Sequence, residues 1–120
     1  MRESFWWLLQ LVTGLLMIIA LAIHMALMHW DMVLGWLGYN VGDVLSYSSV
    51  MSRAASVSWV VFYVLLLALV VYHGFYGLRA VLLEWFPATA ASRSITTIII
   101  ALGSLAFAWG LFITIKSFGS

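Results

Sequence analysis

Polar and apolar positions along this chain do not alternate; apolar residues run in long blocks broken by a few charges. The stretches Ser4–Trp30, Ala54–Leu78 and Ser94–Ile115 contain no Asp, Glu, Lys or Arg. Each is longer than the roughly 20 residues an α-helix needs to cross about 30 Å of hydrocarbon. The pattern predicts an all-α membrane protein with three transmembrane helices, over about 5–30, 56–83 and 94–115. Residues 1–120 are expected to form one transmembrane domain. The first block is too long for a secretory signal, and Arg2 is followed at once by Glu3. Between the first two blocks, Asp31–Arg53 carries Gly35, Gly38, Asn40, Gly42 and several serines, which reads as a loop with a short surface helix. Glu84–Arg93 holds the single proline, Pro87, and reads as a tight connector. Trp6, Trp7, Trp30, Trp36, Trp59, Trp85 and Trp109 fall mostly near predicted helix ends, as in an interfacial aromatic belt.

Composition removes the soluble alternatives. The chain is 66% hydrophobic and 8% charged, where a soluble domain averages about 25% charged. So few charges cannot coat a soluble monomer. A net charge of +1 supplies no basic face for nucleic acid. With no cysteine, the chain has no disulfide, zinc–thiolate site, cysteine nucleophile or iron–sulfur ligand of its own. Arg2, Arg79 and Arg93 belong to one end of the bundle, whereas Arg53 is offset by Asp31 and Asp43 at the other. That bias favours a cytoplasmic N-terminus and an external C-terminus, with Lys116 opposing it.

Function must then reside in the few ionisable or polar residues inside the spans, where such groups are costly to keep. His73 is the most informative of them. It precedes the Glu84 end of its helix by about 15 Å, close to mid-bilayer. On a helical wheel Gly77, Ala80 and Glu84 lie within about 40° of its direction, so small residues sit beneath it. Such relief suits a bulky planar ligand, and imidazole is an axial ligand of b-type haem. The same residue would also serve as a polar contact to a neighbouring helix. Arg79 has two readings as well: partner of an anionic group such as a haem propionate, or snorkelling flank charge. Glu84 is either a proton carrier at the interface or a marker of the helix end. His24 lies about 12 Å from His73 along the membrane normal, too far for both to hold one iron. His29 reads as a boundary residue, and the His24/His29 spacing does not suit a zinc site. Gln10 and Thr13 are expected level with Arg79–Glu84, either lining a polar pocket there or bonding another helix. Gly14, Gly103, Ser104, Ala106 and Gly110 would let helices approach closely, while the Met, Phe and Tyr residues read as packing or lipid-facing.

The run His73-Gly74-Phe75-Tyr76-Gly77-Leu78-Arg79-Ala80-Val81-Leu82-Leu83-Glu84-Trp85 resembles the His-x-x-x-Gly-x-Arg-x-x-x-x-Asp pattern in the second helix of succinate dehydrogenase and fumarate reductase membrane anchors. Val12-Thr13-Gly14 and Gly42-Asp43 are similar to further elements of that family. The resemblance extends over nearly the whole chain and is specific over residues 73–85. It implies one half of a heterodimeric haem-binding bundle, in which two related three-helix subunits, called C and D, hold haem b and a quinone site. It also implies docking to an iron–sulfur subunit and a flavoprotein subunit, which carry the iron–sulfur clusters and FAD. By this resemblance His73 is an axial haem ligand and Arg79 a propionate contact. Glu84 and Trp85 fall at quinone-site positions, with Gln10 and Thr13 as further candidates. His24 matches a second-haem ligand of two-haem members. Leu11 stands where the family often has arginine, Glu84 replaces Asp, and Trp85 stands where the D subunit often has tyrosine. The absent arginine favours a D-like over a C-like subunit. The expected setting is a bacterial or archaeal cytoplasmic membrane, ahead of a mitochondrial inner membrane. Against this stands a haem-free structural anchor or small transporter component, with His24 and His73 as helix–helix contacts.

Overall fold

The computed structural model describes residues 2–119, which form five α-helices and no strand. They are α1 (Arg2–Met28), α2 (Trp30–Trp36), α3 (Tyr47–Ala54), α4 (Val57–Trp85) and α5 (Thr89–Phe118). Helices α1, α4 and α5 are apolar and long enough to cross a membrane. At 27, 29 and 30 residues they run about 40–45 Å, so their ends project past the hydrocarbon into the headgroup layer.

That excess length corrects the predicted boundaries. Helix α5 begins at Thr89 rather than near Ser94, and α4 ends at Trp85. Charges mark where the membrane ends, whereas the helix ends where its hydrogen bonding is broken. Here Pro87 breaks it: proline has no N–H and disfavours the helical region for the residue before it. Phe86 accordingly leaves the helix at φ −126 and ψ 73. Glu84 and Arg93 therefore both lie within helices, and the connector shrinks to Phe86–Ala88.

The longer connector holds two short helices where one was expected. The chain turns between them at Gly38 (φ 85) and Gly42 (φ 78), a backbone region open to glycine and unfavourable for other residues. The Asn40 and Asp43 carboxamide and carboxylate oxygens accept the N–H of Gly42 (3.2 Å) and Leu45 (2.8 Å). Ser46 caps α3 by accepting the N–H of Ser49 at 3.4 Å. Arg53 donates back to the Val44 carbonyl at 2.8 Å, closing the loop on itself.

Helix α4 is the middle element: α1 and α5 pack on it and not on each other, and α3 lies across α4 and α5. Glycines bring α5 close to α4. A Cβ at Gly103 would touch Phe75 at 3.4 Å, and one at Gly110 would meet Leu67 at 2.7 Å. The bundle is otherwise open. Leu66 and Ile99 are the buried large apolar residues among those described, and 6% of the apolar window of each long helix is buried. Lipid or other protein must cover the rest, because so much exposed apolar surface is not tolerated in water.

Candidate functional site: an imidazole seated on a glycine

His73 does not point into open lipid. Its ring lies against α1 where that helix has Gly14, and a Cβ at that position would stand 2.8 Å from Cε1. The ring edge faces the third and fourth turns of α1. Nδ1 is 3.1 Å from the Gln10 carbonyl oxygen and 3.4 Å from Thr13 Oγ1. A carbonyl can only accept, so the hydrogen-bond geometry assigns the proton to Nδ1. In the neutral ring Nε2 then carries the lone pair.

The contact is reciprocal. Gln10 Nε2 donates to the His73 carbonyl at 3.1 Å. The amide passes α4 at Gly77, where a Cβ would come within 3.1 Å of it. One helix supplies a glycine for the ring and the other a glycine for the amide. Nε2 of His73 makes no hydrogen bond to any described residue, and His73 lines a groove of about 790 Å³ with Trp7, Leu11, Leu15, Met17 and Ile18. Gln10 Oε1 is buried there without a donor.

The placement of Gln10 and Thr13 differs from expectation. They stand level with His73, not with Arg79–Glu84. The depth of a residue along its own helix does not fix how two antiparallel helices slide past each other; the paired glycine seats set that register. Gly77 relieves crowding as expected, but for the Gln10 amide, while Ala80 and Glu84 are exposed.

Arg79 does not share the imidazole's groove. Six residues on from His73, it is turned by about 120°. Its Nε donates to Thr96 Oγ1 on α5 at 2.9 Å. It lines a second groove of about 880 Å³ with Glu3, Trp6, Tyr72, Tyr76 and Thr96. Tyr72 and Tyr76 stack there at 5.5 Å. Trp7 borders both grooves. Thr96 and this tyrosine pair escaped the sequence reading; a hydroxyl early in α5, facing the connector from an arginine late in α4, was the available signal. Glu84 and Trp85 are exposed at the end of α4 and line neither groove.

His24 faces α4 at another level. Its ring meets Tyr63 edge-on at 6.0 Å, and its Nδ1 is buried without a partner. Tyr63 precedes His73 by about 15 Å of helix, so the two histidines occupy separate sites. His29 is exposed at the junction of α1 and α2. No three His, Cys, Asp or Glu side chains converge among the described residues.

These features define a class: an integral membrane protein of three spanning helices, with one histidine of α4 hydrogen-bonded to α1. No family model matches the chain, and no solved structure matches it. The succinate dehydrogenase hydrophobic membrane anchor subunit of Archaeoglobus fulgidus is 32% identical to it over 111 residues, covering 92% of this chain and 87% of that one. The chain belongs to the family of succinate dehydrogenase membrane anchor subunits.

Proposed function

We propose that this subunit binds haem b through Nε2 of His73 and, together with other subunits of a succinate dehydrogenase complex, forms a quinone-reducing site. The observation that carries this reading is the hydrogen bond from Nδ1–H to the Gln10 carbonyl. Histidines that ligate metals characteristically donate the other ring N–H to a carbonyl or carboxylate, which fixes tautomer and orientation. His73 meets that requirement, and its ring sits close against α1 at Gly14. The apolar groove at the ring is suited to the face of a porphyrin.

When bound, haem supplies a one-electron carrier between the soluble subunits and the membrane. The chain's own residues orient the imidazole, aim Nε2 and line the groove with apolar side chains that exclude water. Arg79, fixed by Thr96, places a positive charge near the α4–α5 turn. It is suited there to an anionic group or to the polar end of a quinone entering the second groove. Glu84 and Trp85, exposed at that end, are available to a site completed by partner subunits: a second three-helix anchor and an iron–sulfur subunit, the latter joined to a flavoprotein that oxidises succinate. His24 lacks an acceptor for its Nδ1, so the reading rests on His73 alone.

A reduced-minus-oxidised optical spectrum of the purified complex tests it. A b-type band that disappears in His73→Ala is expected. A complex without such a band, or a band unchanged in His73→Ala, overturns it.

A further inference from the structure

Thr13 is the buried polar residue of the described chain, at 7% exposure, and its oxygen lies beside the working histidine. We propose that Thr13 is a positioning residue for His73: its hydroxyl oxygen is a second acceptor for Nδ1–H, beside the Gln10 carbonyl. It thereby holds the ring plane and strengthens Nε2 as a donor. This rests on haem ligation by His73.

The hydroxyl has one proton and two carbonyls to take it, Leu9 at 2.8 Å and Gln10 at 3.0 Å. Whichever accepts it, the lone pairs of the oxygen remain. Neither carbonyl can donate to them. The neighbouring donor is Nδ1–H of His73, at 3.4 Å, which the Gln10 carbonyl also accepts at 3.1 Å. The N–H is thus shared between two acceptors on one turn of α1. A hydroxyl back-bonded to the preceding turn is common in helices and is not by itself a function. What sets Thr13 apart is where its oxygen stands: on the non-ligating nitrogen of an imidazole already pinned by Gly14. Acceptors on that nitrogen push electron density toward Nε2, and second-sphere hydrogen bonding is one of the levers on haem potential. A more basic Nε2 favours the oxidised iron, so Thr13 holds the potential down.

Thr13→Val keeps the shape and removes the hydroxyl; Thr13→Ser keeps the hydroxyl; Thr13→Ala is a second hydroxyl-free variant should valine not assemble. In redox titrations of the complex, the hydroxyl-free variants are expected to retain the b-type band with a raised midpoint potential, and serine to restore it. Equal potentials in all forms overturn the proposal, as does the same displacement in serine and valine. A second readout does not need the haem. In complex carrying ¹⁵N-labelled histidine, the His73 Nδ1 proton resonance is expected to move upfield in Thr13→Val and not in Thr13→Ser; an unmoved resonance overturns the role of Thr13. Absence of the b-type band from the wild-type complex counts against haem ligation, and the resonance then decides Thr13 separately.

Discussion

A methyl group at position 14 would stand 2.8 Å from Cε1 of His73, closer than such atoms approach, so the ring must shift and its contact with the Gln10 carbonyl with it. Gly14→Ala is therefore expected to displace the imidazole and lower haem content of the complex; full haem content in that variant would show that the ring is not seated as described. Gly77→Ala makes a useful contrast. Its new methyl would meet the movable Gln10 amide at 3.1 Å, which can give way, so a smaller loss is expected by the same assay. At this scale His73 was legible because an ionisable group deep in an apolar span is conspicuous. Its partners were not. Gln10 and Thr13 read as polar residues near one end of α1, because spacing along one helix carries no information about the offset of its neighbour. Arg79 illustrates the same limit. It falls within one motif with His73, yet its bond to Thr96 lies on the other side of α4.

The packing of α5 on α4 depends on close approach at two glycines. At Gly110 an added Cβ would meet the Leu67 side chain at 2.7 and 2.9 Å. Gly110→Ala is expected to destabilise the bundle by about 1 kcal/mol, the low end of overpacking costs, because the Leu67 methyls it meets can turn aside. At Gly74, in contrast, nothing lies within 4 Å of an added Cβ. Gly74→Ala should leave stability unchanged or raise it by about 0.5–1 kcal/mol, since glycine is a poor helix former. Reversible unfolding in detergent compares the two; equal effects would contradict the described α4–α5 contact. The existence and order of the three long helices were readable from the charge-free blocks. Their ends were not, because Arg93 marks the edge of the charge-free block while Pro87 marks the edge of the helix. The second short helix in the long connector was missed as well: Ser46 caps it, but it is one serine among several there.

The whole molecule buries little of its own apolar surface, with Leu66 and Ile99 its buried large apolar side chains among the described residues. The groove at His73 is likewise open along α1. Membership of the anchor family accounts for that openness, since such a surface is completed by lipid and by other subunits. The arginine distribution bears on how the bundle lies in the membrane. With Arg2, Arg79 and Arg93 toward one face, that face is expected to be cytoplasmic. The chain contains no cysteine, so single substitutions report cleanly. Ser48→Cys, exposed on α3, should react with a membrane-impermeant maleimide in intact cells. Ala90→Cys, exposed at the start of α5, should react only after the membrane is opened. The opposite pattern would invert the topology and move the Arg79 groove to the external face.

Haem extracted from the assembled complex and counted against protein tests the central claim most directly, because it does not depend on turnover. Haem bound by the wild-type complex should be lost when His73 becomes alanine, with the subunits still co-purifying. Equal haem in the two complexes, or none in the wild type, would contradict ligation by His73.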